Sequence, residues 1–301
     1  MLSIQIMGGF GNQLFQIFAA LAYGIQHNKK VVFPYQRNMG HRHTYWDTFF
    51  NDLMIFTTEN PSNRVSDEDI TRMSIFQEKD FTFSPFPDFG SNSTCLMGYF
   101  QSYKYFESKQ DIIYRLLKLD EKKQSIKNRY PELFSYPESS KTSSNESIAI
   151  HFRLGDYKQK RYYHPVMNYE YFEKSLDHVV STRPNLKSVL YLCESEDNNY
   201  VESKIALFRA KYPELEYIKV PDDIPDYDQV LVMALADHNV MSNSTFSWWG
   251  AYLNENPNKV VCFPSIWFGE YYEHTHDHRD MMQPSWTRID SKPIPWDQPM
   301  V

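Results

Sequence analysis

The chain has 301 residues, of which 42% are hydrophobic, so it is long enough for one large or two medium globular domains. Its formal net charge of −7 argues against a protein that binds nucleic acid, because that binding needs a basic surface. No apolar run approaches the roughly 20 residues of a transmembrane helix, so the sequence predicts no membrane-spanning segment.

The chain starts with a predicted strand, Leu2–Ile6, without the basic and apolar regions of a signal peptide before it. The three cysteines, Cys95, Cys193 and Cys262, are an odd number, and the last two lie in apolar runs typical of strands. This pattern indicates reduced thiols rather than a disulfide framework. We therefore expect a cytoplasmic protein.

A glycine-rich turn follows the first strand, with the sequence Gly8-Gly9-Phe10-Gly11-Asn12-Gln13. An apolar helical stripe and a second predicted strand, Val31–Phe33, come next. Such a βαβ unit places backbone amides at a helix N-terminus, where they can bind an anion. The spacing differs from the dinucleotide-binding fingerprint, and the glycines could equally serve only the tight turn.

Two stretches have the residue types of a metal site. Ser66-Asp67-Glu68-Asp69 lies in a region, from Pro34 to Ser91, that we predict to be loops and short helices. Helix capping by Ser66 or Asp67 explains that stretch more simply. His274-Thr275-His276-Asp277-His278 lacks a second group of ligands. We therefore predict no metal site.

The second half of the chain alternates between strands and helices. A strand over Leu96–Gln101, a helix over Tyr105–Leu119 and a polar linker at 137–147 precede it. Strands are predicted at 148–152, 188–193, 217–220, 239–241 and 260–263, with helices between them. This alternation is typical of a parallel sheet, so the sequence predicts an α/β fold with two Rossmann-like domains. We place them at residues 1–146 and 147–270, with a proline-rich tail, 271–301, that crosses back to the first domain.

The strand at 148–152 leads into His151-Phe152-Arg153-Leu154-Gly155-Asp156-Tyr157. Ligands gather where the strands of an α/β sheet end. Because side chains alternate along a strand, His151, Arg153 and Gly155 should share one face, with Phe152 and Leu154 on the other. Arg153 could bind a phosphate there, or it could close the loop through an ion pair with Asp156.

A polar run, Ser242-Asn243-Ser244-Thr245, ends the strand at 239–241 and immediately precedes a predicted helix that starts at Phe246. Ordinary capping needs one such residue, whereas this run has four. Together with the amides of the helix N-terminus, the run predicts a cradle for an anion. Trp248 and Trp249, within the helix, are predicted to be core residues.

Three segments together resemble the signatures of the α-1,2-fucosyltransferases, glycosyltransferase family 11. They are Gly8 to Gln13, His151 to Tyr157, and Ser242 to Leu253, with Gly98-Tyr99-Phe100-Gln101 and Tyr105-Phe106 as a lesser match. The resemblance implies a GT-B fold, in which two Rossmann-like domains face a cleft. It also implies GDP-β-L-fucose as the donor, a galactose-terminated glycan as the acceptor and inverting transfer to its 2-hydroxyl. No metal or other cofactor is implied.

The resemblance also assigns roles to single residues. It places Phe10, Gly11 and Asn12 against the donor, with Asn12 among the catalytic residues, in a first domain that takes the acceptor. The family usually has a second arginine where this chain has Leu154. Because that position should face away from Arg153, we expect altered packing more than a lost phosphate contact.

The predicted mechanism centres on the negative charge that builds on the β-phosphate as GDP leaves. Arg153 and the helix start at Ser244 and Thr245 are suited to hold that charge. Asp156 is either the base for the acceptor hydroxyl or the residue that orients Arg153, and both roles stay open. Further residues predicted to bind the donor are His151, Asn243, Phe246 and, as acceptors for guanine hydrogens, Glu194 or Asp197.

Other functions remain compatible with the sequence. A phosphate-binding hydrolase could use His151 and Arg153, but it would need a nucleophile or a metal cluster that we do not find. A fucosyltransferase of another linkage, or a glycan-binding relative without turnover, could keep the same fold. Three asparagines, Asn92, Asn145 and Asn243, match the N-glycosylation pattern, and we expect all three to be unmodified.

Overall fold

A computed structural model of the chain describes residues 1–40, 42–134 and 145–295. The chain divides into two compact units. The first comprises Met1–Lys122 and Thr275–Gln283, and the second comprises Lys123–His274 and the chain from Pro284 onward. Part of the predicted tail thus belongs to the first unit. The division also comes before the predicted boundary at 146/147, and most of the predicted linker lies outside the described residues.

The first unit is built on a parallel sheet of three strands and one long helix. Its sheet has the strand order β1-β5-β4, and β2 and β3 form a separate antiparallel pair. The elements are, in chain order, β1 (Leu2–Ile4), α1 (Phe10–Gln26), β2 (Asn38–Met39), β3 (Arg42–His43), α2 (Asp67–Thr71), β4 (Ser74–Gln77), β5 (Thr94–Met97) and α3 (Gln110–Leu116).

Three predictions for this unit need correction. The predicted strand Val31–Phe33 forms only isolated bridges, one from Val31 to Leu2 and one from Phe33 to Thr57. The strand predicted to reach Gln101 ends at Met97, because the chain turns sharply at Gly98 and at Phe100, where φ is +52°. The single helix predicted over Tyr105–Leu119 is interrupted at Lys118, where φ is +51°, and two short 3₁₀ turns precede α3.

A further helix, α4 (Leu119–Arg129), crosses the division between the units. From Lys123 onward the helix belongs to the second unit and is bonded to other parts of it. The Lys123 Nζ donates to the Leu253 carbonyl at 2.7 Å, and Arg129 pairs with Asp228 at 2.7 Å. These contacts explain why the second unit begins before the predicted linker.

The second unit contains a six-stranded parallel sheet with the order β11-β10-β9-β6-β7-β8. The predicted α/β fold class is confirmed, and the elements lie close to their predicted bounds, except for β11, which was not predicted. They are β6 (Glu146–His151), α5 (Tyr169–Thr182), β7 (Leu186–Leu192), α6 (Asn198–Lys211), β8 (Glu216–Lys219), α7 (Asp226–Leu235), β9 (His238–Val240), α8 (Thr245–Tyr252), β10 (Val261–Pro264) and β11 (Thr287–Ile289).

The strand order places a topological switch point between β6 and β9. From β6 the chain builds outward through β7 and β8, and it then returns to form β9 on the other side of β6. The apolar residues of β6 and β7 are fully buried, as is usual for central parallel strands. Trp248 and Trp249 are fully buried too, which confirms their prediction as core residues. Ligands of open α/β sheets bind at the carboxyl ends of such a strand pair.

Candidate functional site

The structure brings two of the predicted motifs together at this switch point. His151 ends β6, and the Ser242–Thr245 run follows β9, its neighbour in the sheet. Ser242 joins the two: its hydroxyl donates to the His151 carbonyl at 2.6 Å and accepts from the Arg153 amide at 3.0 Å. The backbone that carries Arg153 is therefore fixed against the loop that starts α8.

The guanidinium of Arg153 is held by two carboxylates. Its Nη1 binds Glu194 and its Nη2 binds Asp156, while the group lies over the Tyr157 ring with Cζ 4.7 Å from the ring centre. Asp156 also accepts from the Lys160 Nζ at 3.0 Å. A carboxylate shared by two cations is suited to orienting Arg153, so the geometry favours this role of Asp156 over the role of base.

The loop after β6 is anchored by Asp197 rather than left open. The buried Asp197 carboxylate accepts from the Gly155 amide at 2.8 Å and from the Lys158 Nζ at 2.6 Å. Each oxygen of this carboxylate thus has a partner within the chain, and the residue is only 3% exposed. Asp197 therefore has a structural role in this loop and Glu194 contacts Arg153, while the predicted contact of either residue with guanine stays a prediction.

Gly155 allows Glu194 to approach that loop. Its φ is +38°, and a Cβ at this position would lie 2.2 Å from the Glu194 Oε1. A larger residue would therefore force the Glu194 carboxylate away from Arg153 and would strain the backbone.

His151 is a buried and neutral member of the site. Burial and the nearby charge of Arg153 lower the pKa of His151 to about 3. Its ring lies 5.1 Å from that of Phe246, and within the described residues its Nδ1 has no hydrogen-bond partner. A neutral imidazole with an unpaired nitrogen can bind a polar ligand atom without adding charge.

Most side chains of the polar run before α8 have partners within the chain, and the predicted anion cradle stays a prediction. Asn243 donates to the carbonyls of Pro165 and Trp267 at 2.9 and 3.1 Å, and Ser244 caps α8 by accepting from the Phe246 amide at 3.3 Å. Three of the four side chains, those of Ser242, Asn243 and Ser244, thus hold the loop itself. An anion here would meet Thr245, the first helical residue, and the amides of the helix start. The buried Asn243 side chain is also inaccessible to glycosylation in the folded chain.

The glycine-rich turn of the first unit orients Asn12. The Asn12 Oδ1 accepts from the Gln101 Nε2 at 3.0 Å. A Cβ on Gly8, whose φ is +77°, would lie 2.4 Å from the Asn12 Nδ2, so this nitrogen points over the turn. Gln13 closes the turn by donating to the Gly8 carbonyl at 3.1 Å.

Phe10 has a core side chain, and its predicted place against the donor stays a prediction. Its side chain is only 3% exposed and packs against the rings of Tyr45 and Phe49 at 4.5 and 4.9 Å. Gly11 is buried as well. The first turn of α1 faces inward because this helix buries most of its surface. Among Phe10, Gly11 and Asn12, which were assigned to the donor, only Asn12 has a polar side chain.

The stretches with metal-ligand residue types have other contacts. Ser66 and Asp69 form a reciprocal capping box at the start of α2, and the His276 ring stacks on Phe81 at 4.4 Å. In the described ranges, no three histidine, cysteine, aspartate or glutamate side chains come together as metal ligands would. All three cysteines are free.

Sequence reasoning missed the partners that surround Arg153 and Asn12. Tyr157 ends the motif and Lys160 lies shortly after it, so their proximity in the sequence could have suggested the contacts with Arg153 and Asp156. The hydrogen bond from Gln101 to Asn12 was harder to predict. The sequence indicates only that both residues lie in segments that resemble the family signatures. Across the described part of the chain, no helix has both the length and the apolar composition needed to cross a bilayer.

Comparison with known proteins places these features in a family context. The sequence pattern of Glycosyl transferase family 11 matches residues 1–290. The chain is 27% identical over 182 residues to the O-antigen biosynthesis glycosyltransferase WbnK of Escherichia coli, across 59% of this chain and 56% of WbnK. It is 25% identical over 314 residues to a galactoside 2-alpha-L-fucosyltransferase of Caenorhabditis elegans, across 98% of this chain and 78% of that protein. A crystal structure of POFUT1 in complex with GDP-fucose superimposes with a TM-score of 0.49 and 12% identity, across 87% of this chain and 97% of that one.

Proposed function

This chain belongs to glycosyltransferase family 11, and we propose that it transfers L-fucose from GDP-β-L-fucose, with inversion, to the 2-hydroxyl of a terminal β-galactoside. The observation that carries the proposal is the position of Arg153 beside the start of α8 at the switch point of the second unit. The fucosyltransferase named among the relatives supports the choice of sugar.

Departure of GDP leaves negative charge on the β-phosphate, and two groups at the switch point can hold it. Arg153 supplies a fixed positive charge with planar donors, and the N-terminus of α8 supplies aligned amides. Both are already in place before the reaction, so little reorganisation is needed as charge develops. Neutral His151 and the hydroxyl of Thr245 add polar contacts without altering the net charge.

Donor binding exchanges one anion on Arg153 for another. The Glu194 side chain is 47% exposed, whereas that of Arg153 is 20% exposed. A phosphate oxygen can therefore displace Glu194 toward solvent at low cost, while Asp156, which Lys160 also holds, keeps the guanidinium plane in position. Arg153 is then paired in both states, and its charge is never left buried without a counter-ion.

Incubation of the purified protein with GDP-fucose and lactose tests the proposal. We expect release of GDP together with a fucosylated lactose whose linkage, read by NMR, is α-1,2. A hydrolase would release GDP and free fucose without lactose, and a glycan-binding protein would bind lactose without releasing GDP. Product with another linkage would retain the transfer reaction and contradict only the acceptor position.

We further expect transfer to continue at an unchanged rate in excess EDTA. Arg153 and the helix N-terminus supply the positive charge that a divalent cation supplies at other pyrophosphate sites, so the donor needs neither a metal nor another cofactor. Initial rates with and without EDTA measure this. A rate that collapses in EDTA and returns with Mn²⁺ would contradict it.

A further inference from the structure

Glu78, in the first unit, binds the turn that follows β5 and is not used by the function proposed above. It comes directly after β4, the neighbour of β5 in the sheet. Its Oε2 accepts from the Tyr99 amide at 2.6 Å, and its Oε1 accepts from the Phe100 amide at 2.9 Å. One carboxylate thus holds two successive amides of the Gly98–Gln101 segment.

The shape of this turn depends on that contact. A Cβ on Gly98 would lie 2.3 Å from the Glu78 Cβ, so only glycine leaves room for the glutamate. Phe100 has a φ of +52°, a conformation that bulky residues rarely adopt unless their surroundings impose it. The two amide bonds to Glu78, together with the packing of the buried Phe100 ring against Phe86 and Tyr105, hold the chain in it here.

The turn is clamped onto α1 by two glutamines. The Gln16 Nε2 donates to the Gly98 carbonyl at 3.0 Å, and the Gln101 Nε2 donates to the Asn12 Oδ1 at 3.0 Å. Because Gln101 engages the Asn12 oxygen, the amide nitrogen is left on the side of the glycine-rich turn, where it can donate to a substrate oxygen.

We propose that Glu78 is a positioning residue for the transfer reaction: it holds the Gly98–Gln101 turn so that Gln101 fixes the Asn12 amide as a donor to substrate. The proposal rests on the proposed function and on the role of Asn12 in it. Glu78 acts through Gln101 and does not itself have to touch substrate.

The environment of Glu78 makes this role sensitive to pH. Burial raises the pKa of Glu78 to about 7, against the effect of the two amide bonds and with a further contribution from Asp80. Tyr105 also faces the group, and burial raises the pKa of this phenol to about 12, so it stays neutral. Asp280, in the tail, contributes to the shift at Tyr105. As the pH rises through about 7, Glu78 ionises and accepts both amides with stronger, charge-assisted bonds.

Stability and turnover should therefore respond to pH in opposite directions. Because the pKa of Glu78 is raised in the folded chain, its contribution to stability is full below the ordinary value of 4.5 and is lost as the pH rises through about 7. Turnover instead gains from ionisation, because the turn is then held more firmly. If Glu78 had a merely structural role, stability and turnover would instead fall together as the pH rises.

The experiment compares the wild type with Glu78→Gln and Gln101→Ala, in the full chain and at saturating donor and acceptor. Between about pH 5.5 and pH 8.5, the wild-type kcat should rise with a midpoint near 7 while its Tm falls relative to that of Glu78→Gln. Glu78→Gln should lose this rise in kcat, because an amide does not titrate. Gln101→Ala should also lose it but keep the pH dependence of Tm, and adding Glu78→Gln to Gln101→Ala should not lower kcat further.

Several outcomes would overturn the proposal. One is a Glu78→Gln protein with the wild-type kcat and the wild-type rise of kcat with pH. Another is a double variant whose kcat is lower than that of Gln101→Ala by the same factor that Glu78→Gln causes alone. If Glu78→Gln does not fold, Glu78→Asp serves instead: a shifted midpoint supports the proposal and an unchanged profile refutes it. Failure of the wild type to transfer fucose at any pH would instead refute the proposed function, and the positioning role with it.

Discussion

Replacement of Arg153 by alanine should lower kcat about a hundred- to thousandfold, the loss typical when one preorganised donor to a transition state is removed. The contact of Arg153 with the phosphate strengthens as charge develops, so kcat falls together with the affinity for GDP. Arg153→Lys should remain badly impaired, because an ammonium group cannot bind Asp156 and a phosphate through one planar fork.

The alternative for Arg153 is an ion pair that only stabilises the loop. That role predicts a lower Tm for Arg153→Ala with near-normal turnover for each folded molecule. Arg129→Ala is a matched control, since Arg129 likewise pairs with a carboxylate of the same unit, that of Asp228 at 2.7 Å, and has no role in the proposed reaction. We expect this control to change Tm and to leave kcat unaffected. Measurement of kcat, of the Kd for GDP and of Tm for all three variants separates the two roles.

The second unit was more predictable than the first, for a physical reason. Its central strands are buried on both faces and therefore appear in the sequence as continuous apolar runs, such as Ile148–Ile150 in β6. In the first unit, β4 lies at the sheet edge and has only two apolar residues, Phe76 and Ile75, of which Ile75 is 62% exposed. Such a segment has no clear strand pattern. The break in the helix at Lys118 likewise depends on a positive φ that the residue types there do not predict.

The candidate site was predictable at the level of motifs but not of contacts. Each motif has its own local signal at a strand end, and the adjacency of β6 and β9 in the sheet brings the two together. The partners within the site are set by tertiary structure. Glu194 and Asp197 follow β7, and no pattern in the sequence states that one binds Arg153 while the other binds the Gly155 amide. The polar run before α8 is ambiguous in a similar way, because polarity alone does not distinguish a side chain that holds its own loop from one that holds a ligand.

Phe10→Ala should produce the largest loss of stability among single substitutions in the glycine-rich turn. A buried phenylalanine replaced by alanine typically costs about 3–5 kcal/mol, through lost transfer free energy and the cavity left behind. The Phe10 ring contacts three aromatic residues, Tyr45, Phe49 and Phe50, at centroid distances of 4.5, 4.9 and 6.0 Å, so the site can collapse only in part. Urea unfolding measures the change in the free energy of unfolding.

The same variant distinguishes a core role from contact with the donor. As a core residue, Phe10 should affect stability and leave the Kd for GDP and the kcat of the folded molecules close to those of the wild type. Phe15→Ala is the matched control, because Phe15 is a fully buried residue on the same helix and packs against Phe106 at 6.0 Å. The two variants should lose similar stability and retain similar kinetics. A Phe10→Ala protein that unfolds like the wild type but binds GDP tenfold or more weakly would return Phe10 to the donor site.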